Sequence, residues 1–130
     1  MDESIQTPPY EIVETTLGRM IILPADGGVL SATEAADLIG MAWSATAEWV
    51  VVPEQRLGDE FFHLRSRVAG EIAQRFVNYR IGLVVLGDIS RYTDDSASLR
   101  DFVRESNARQ QPWFVRDRAE LDDRLGQQLV

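Results

Sequence analysis

A short apolar segment bounded by glycines is the feature that most restricts the fold. Residues 83–86 are Leu-Val-Val-Leu, and they lie between Gly82 and Gly87. Such a run is too short for a helix and is typical of a strand buried on both faces of a parallel sheet. Residues 49–52, which end at Pro53, and residues 113–115 have the same character. The chain therefore requires a sheet whose central strands are covered on both sides.

Helical patterns separate these apolar runs. Ser31 and Glu34 have the spacing of a capping box, which predicts a helix over 32–45. Apolar residues recur every three or four positions over 60–79, which predicts a second helix. A third helix is predicted to be capped at Ser98, and leucines on one stripe predict a fourth over 118–129.

Two further strands near 10–16 and 19–23 flank Gly18 and predict a hairpin. Strands separated by helices pair in parallel through crossovers, whereas a hairpin adds an antiparallel pair. We therefore expect a disordered leader over 1–9 and a single α/β domain over 10–130. Its predicted architecture is a five-stranded mixed sheet packed by four helices, in the order ββαβαβαβα.

The net charge limits the partners of the chain. The formal charge is -8, with 45% hydrophobic and 26% charged residues, which is typical of an ordinary globular domain. Nucleic acids and anionic membranes attract positively charged proteins, so neither is expected as a partner of this acidic chain. No stretch approaches the roughly 20 apolar residues that cross a bilayer, and we expect a cytoplasmic protein.

The residue types exclude several kinds of chemistry. The chain has no cysteine and no lysine, which removes disulfides, thiolate metal sites and lysine-based catalysis. His63 is the only histidine, and we expect it to be a partly exposed helix residue; the alternative is a catalytic or ligand-binding role. Asp88, Glu54 and Asp117 each follow a predicted strand, but one carboxylate at each strand end is a weak pattern for magnesium. We expect no metal and no cofactor.

The candidate ligand site is a polar cluster at the strand ends. Asp88, Ser90, Arg91 and Tyr92 follow residues 82–86 directly. Glu54 and Arg116 follow the two other apolar runs and are expected at the same edge of the sheet. Ligands of open α/β sheets bind at the carboxyl ends of the strands, so these six residues predict a ligand-binding cluster. In the alternative reading, Asp88 only caps the turn and pairs with Arg91.

The aromatic residues predict a partner interface. Phe61 and Phe62 are adjacent, and adjacent helical residues cannot both face one core. One of them is expected at a boundary, where Trp43 or Trp49 joins it in a twofold contact between two copies of the chain.

Three segments carry a family resemblance: AGEIAQRFVNYR at 69–80, LGDISRY at 86–92 and SLRDFVRESN at 98–107. Together they resemble the bacterial family known as domain of unknown function 4180, which has no settled activity. The element order is also similar to that of sulfate-transporter and anti-sigma-antagonist domains, which bind partner proteins. Those regulators carry a phosphorylatable hydroxyl after the central strand, whereas residues 53–58 here have none.

Two functions are compatible with these patterns. The first is a non-enzymatic regulatory or interaction domain, a homodimer that binds a protein partner or a small ligand. The alternative is a small enzyme or ligand-binding protein that uses the cluster around Asp88, Arg91 and Tyr92, with catalytic residues that the sequence leaves unknown.

Overall fold

The computed structural model describes residues 10–108 and 112–127. The predicted leader over 1–9 lies outside the described residues. The strands are β1 (Glu11–Thr15), β2 (Gly18–Ile22), β3 (Trp49–Pro53), β4 (Gly82–Leu86) and β5 (Trp113–Val115). The helices are α1 (Ala32–Ser44), α2 (Gly58–Phe62), α3 (Val68–Asn78), α4 (Ser90–Thr93), α5 (Ala97–Ala108) and α6 (Arg118–Gln127), with short 3-10 turns at Glu54–Arg56 and Leu64–Ser66.

The five strands form one sheet in sequence order, β1-β2-β3-β4-β5. β1 and β2 pair antiparallel as a hairpin, and every later pair is parallel. The predicted five-stranded mixed sheet of an α/β domain is therefore confirmed. Because β3, β4 and β5 run in one direction, the segments that follow them all begin along the same edge of the sheet.

The alternation of strand residues produces two apolar layers. One face packs against α1, α2 and α3 and the inner side of α5, and the other packs against α6 through Leu121 and, in part, Leu125. The strand residues of the first layer include Ile21, Val50, Val52, Leu83, Val85 and Phe114. Those of the second include Met20, Ile22, Val51, Val84, Trp113 and Val115. Burial on both sides explains why β3 and β4 are apolar at every position.

The helix predicted over 60–79 is interrupted. α2 ends at Phe62, His63 is extended, and Arg67 adopts a left-handed conformation with φ of 66° before α3 begins. Ser66 supports the break, since its hydroxyl donates to the carbonyl of Glu60 and accepts from the amide of Val68. This break and the short helix α4 raise the number of α-helices in the described residues from the predicted four to six.

The break also corrects the prediction for Phe61 and Phe62. Both side chains are buried, with relative exposures of 1% and 2%. α2 has only five residues, and both of its phenylalanines belong to the same apolar cluster, with their rings edge to face at a centroid distance of 5.0 Å. Tyr92 stacks on Phe62 with ring centroids 4.3 Å apart. Neither phenylalanine is available to a partner, whereas Trp43 on α1 is 62% exposed.

Two further details differ from the predictions. α5 is capped by Ser96, whose hydroxyl accepts from the amide of Leu99, and not by Ser98. Val77 belongs to the apolar pattern predicted over 60–79, but it is 47% exposed. Within the described part of the chain, no helix has the length and apolar character needed to cross a membrane.

Replacement of Ile72 by aspartate should abolish folding. Ile72 on α3 is 3% exposed and packs in the larger apolar layer. An unpaired charge there costs several kcal/mol, which is comparable to the stability of a whole domain. Circular dichroism should show no cooperative thermal transition for Ile72→Asp. Gln74→Asp, on the exposed side of the same helix, is the control and should melt near the parent temperature; similar melting of both variants would contradict the assigned core face.

Candidate functional site

A buried carboxylate lies at the carboxyl end of β3. Glu54 directly follows the strand and is 7% exposed. The paired strand β4 ends at Leu86, opposite Pro53, so Gly87 comes to lie beside Glu54. Gly87 has φ of 144°, and a Cβ atom there would lie 2.3 Å from Cγ of Glu54. Glycine is required at this position for both reasons, because it tolerates this backbone region and leaves room for the carboxylate side chain.

Arg91 compensates the charge of Glu54. Its Nη2 atom lies 2.8 Å from Oε2 of Glu54 and also donates to the phenol oxygen of Tyr92 at 3.2 Å. The guanidinium carbon lies 4.5 Å from the centre of the Tyr92 ring. The hydrogen bond to Tyr92 and the one to Glu54 raise the pKa of Arg91. The arginine side chain is nevertheless 58% exposed, so one part is fixed by the protein and the rest meets solvent.

Tyr92 connects the sheet edge to α2. Its hydroxyl donates to Oδ1 of Asp59 at 2.6 Å, and its ring stacks on Phe62 with an interplanar angle of 10°. Burial raises the pKa of Tyr92, and the hydrogen bond to Asp59 raises it further. The phenol is therefore neutral at physiological pH and acts as a fixed hydrogen-bonding bridge.

These contacts form one wall of an open cleft of about 510 Å³. The opposite side comes from the break after α2, and the rim comes from the start of α5. The cleft is lined by Phe62, His63, Leu64, Arg65, Arg91, Tyr92, Asp95, Ser96 and Ser98. Its size lies in the range of roughly 300–1,000 Å³ that is usual for small-molecule sites.

The predicted six-residue cluster is divided between two places. Glu54, Arg91 and Tyr92 come together at the cleft. Asp88, Ser90 and Arg116 line a separate groove of about 220 Å³ between β4 and β5. The short helix α4 carries Ser90 at its start and Arg91 and Tyr92 behind it, so its two sides separate the two groups.

Asp88 makes the turn cap that the alternative interpretation described. Its Oδ1 atom accepts from the amide of Ser90 at 2.9 Å, which closes the turn into α4. The same backbone hydrogen bond is the main reason that the pKa of Asp88 is lowered. The ion pair expected between Asp88 and Arg91 is not formed, because Arg91 turns to Glu54. Within residues 10–108 and 112–127, no group of three or more His, Cys, Asp or Glu is placed to hold a metal ion.

Of the nine residues that line the cleft, only Arg91 and Tyr92 were predicted from the sequence to bind a ligand. Arg65, Asp95 and the Tyr92 partner Asp59 were not among the predicted site residues, and His63 was predicted to lie in a continuous helix. His63 is exposed at the end of α2 and lines the cleft. The missing signal is the left-handed Arg67, because a non-glycine residue in this conformation leaves no mark in the hydrophobic pattern.

The family comparison covers this whole arrangement. The model of a domain of unknown function, DUF4180, matches residues 18–125. The chain belongs to the DUF4180 family. The DUF4180 match extends from β2 into α6 and includes every residue that lines the cleft. No curated protein and no solved structure matches the chain.

Replacement of Asp59 by asparagine should lower the pKa of Tyr92. The amide removes a negative charge that favours the neutral phenol. Because the folded-state pKa of Tyr92 lies above its ordinary value of 10.0, its contribution to stability is complete below that pH and is lost as the pH rises through the raised pKa.

Alkaline titration of tyrosinate absorbance checks this prediction, with Tyr92→Phe subtracted to isolate the Tyr92 signal. Asp95→Asn is the control, since Asp95 lines the cleft but makes no described hydrogen bond to Tyr92. An unchanged or higher pKa of Tyr92 in Asp59→Asn would contradict the role assigned to the Tyr92–Asp59 bond.

Proposed function

We propose that this DUF4180 protein is a non-enzymatic regulatory domain that binds a small ligand in the cleft between α2 and α5. The observation that carries the proposal is the state of Arg91, which is fixed by a buried carboxylate and yet more than half exposed to an open cleft. An exposed but preorganised guanidinium loses little side-chain freedom when a ligand binds, which favours affinity.

The directions of the pKa shifts favour binding over proton transfer. In the cleft, the pKa values of Arg91 and Tyr92 are both raised. Both shifts move the pKa further from physiological pH, whereas a general acid or base works best with a pKa near the operating pH, so these two groups are suited to hydrogen bonding. The alternative, a small enzyme or ligand-binding protein, used a cluster around Asp88, Arg91 and Tyr92, and Asp88 lines the other groove.

A variant that fills the cleft should abolish ligand binding. Ser98 is exposed in the first turn of α5 and lines the cleft, so Ser98→Tyr places a ring in it without loss of a described side-chain hydrogen bond. Small-molecule ligands found by thermal-shift screening of the wild-type protein should no longer raise the melting temperature of Ser98→Tyr. Ser44→Tyr, at the exposed end of α1, should respond like the wild type. Equal responses of Ser98→Tyr and the wild type would place function outside the cleft.

We further propose that two copies of the chain associate through α1 and α3. These helices lie side by side and run in the same direction, since each leads into one of two paired parallel strands. Their carboxyl ends expose three large apolar side chains: Trp43 at 62%, Val77 at 47% and Tyr79 at 53%.

Charge favours a second copy as the occupant of this surface. α1 exposes Glu34 and Asp37 and contains no basic residue, whereas α3 exposes Arg75 beside Glu71 and is flanked by exposed Arg67 and Arg80. A twofold axis parallel to the helices sets α1 of one protomer against α3 of its partner. That arrangement sets the acidic helix α1 against α3 with its flanking arginines, and it brings Trp43 to the carboxyl end of the partner's α3.

Trp43→Ser should weaken this dimer. Tryptophan side chains at the centre of interfaces often contribute much of the binding energy, and we expect the dissociation constant to rise at least about tenfold. Sedimentation at micromolar concentration should show the wild type at twice the 14.7 kDa chain mass. Val29→Ser, which alters an exposed apolar residue elsewhere, should leave the dimer intact. A wild-type protein that stays at 14.7 kDa at high concentration would disprove the dimer.

A further inference from the structure

Arg91 has hydrogen-bonding capacity that the protein does not use. A guanidinium carries five N–H groups, two of them on Nη2. In Arg91 the Nη2 atom donates to Glu54 and to Tyr92. The N–H groups on Nε and Nη1 have no hydrogen-bond partner within the described ranges, and the side chain lines the cleft. The Nη2 atom holds the arginine in place, and the Nε and Nη1 atoms are left to donate hydrogen bonds to a ligand.

The other cleft residues surround this donor with apolar and charged groups. Leu64 and Tyr92 are half-buried and, with Phe62, give the cleft apolar walls. Arg65 is an exposed second guanidinium, and Asp95 is the single acid among the lining residues. A ligand that uses all of these features combines an apolar body with an oxyanion.

The local charges select among oxyanions. Arg65 and Arg91 carry two positive charges, and three carboxylates oppose them: Glu54 behind Arg91, Asp59 bonded to Tyr92, and Asp95 on the rim. A group with one negative charge gains charge-assisted hydrogen bonds from the unused N–H groups and meets these carboxylates with less repulsion than a doubly charged group does. A phosphate, with close to two charges, meets the same three carboxylates with greater repulsion.

The geometry points to a small monocarboxylate with an apolar body as the ligand class of this cleft, with Arg91 as the residue that binds the carboxylate. This inference rests on the proposed function, because it names the chemistry of a ligand for the same cleft. Glu54 is a positioning residue, since it reaches the ligand only through Arg91.

A matched pair of probes tests the carboxylate. Benzoate and benzamide share a ring and differ in charge, so NMR titration of the full chain at constant ionic strength compares them directly. Benzoate should shift the amide signals of residues 63–65 and 91–98, and benzamide should not at the same concentration. Arg91→Gln should weaken benzoate binding about tenfold or more, which is the expected effect of losing hydrogen bonds to a charged group. Arg104→Gln is the control, because Arg104 pairs with Asp101 on the exposed side of α5.

A second variant keeps the test valid if Arg91→Gln fails to fold. Removing Arg91 alone leaves the Glu54 carboxylate buried without its partner, which is destabilising. The double variant Glu54→Gln/Arg91→Gln removes both charges and should show the same loss of benzoate binding in a folded protein. Glu54→Gln alone, with Arg91 present but less constrained, should weaken benzoate by a smaller factor.

Three results would overturn the inference. These are equal binding of benzamide and benzoate, tighter binding of phenyl phosphate than of benzoate, and unchanged benzoate affinity in the double variant. Each of them leaves the proposed function standing if screening ligands still depend on the cleft, as Ser98→Tyr reports. If Ser98→Tyr has no effect on any ligand, the proposed function fails together with this inference.

Discussion

The pairing of β3 with β4 is the constraint on which the rest of the structure depends. Their register sets Pro53 opposite Leu86, which brings Glu54 and Gly87 together at the carboxyl edge. Both strands are apolar throughout because helices cover each face of the sheet. The first polar side chain after β3 is thus still partly inside the protein, and its charge must be compensated. Arg91 supplies that compensation and so fixes the position of α4 relative to β3.

The contacts that compensate the charge of Glu54 both stabilise the fold and build the wall of the cleft. Arg91 and Tyr92 are adjacent on one short helix, so the ion pair to Glu54 and the hydrogen bond to Asp59 tie α4 to both β3 and α2. Stacking of Tyr92 on Phe62 excludes water from one side of the ring. The cleft wall is therefore built from contacts that the fold already uses, and the exposed part of Arg91 is left for a ligand. Such preorganisation lowers the cost of binding.

The fold could be predicted largely from local patterns. The apolar runs at β3, β4 and β5, the Ser31–Glu34 capping box and the hairpin at β1 and β2 are each encoded by neighbouring residues. The break between α2 and α3 could not be predicted in this way, because the apolar spacing continues through it while Arg67 changes the backbone direction. The burial of both Phe61 and Phe62 followed from that break, because the separate short helix α2 packs both side chains into one apolar cluster.

The sequence by itself determined that polar residues meet at the carboxyl edge of a parallel sheet, because strand direction follows from the order of strands and helices. It also determined which residue types are present there, including Glu54, Arg91 and Tyr92. Only the tertiary structure decided which of them meet: Arg91 and Tyr92 turn to Glu54 and Asp59, while Asp88 closes its own turn. The physical reason is that a buried carboxylate must find a cation, and α4 allows its consecutive side chains to point to different sides. Which side each takes depends on burial and charge across segments more than thirty residues apart, and local sequence patterns do not record such contacts.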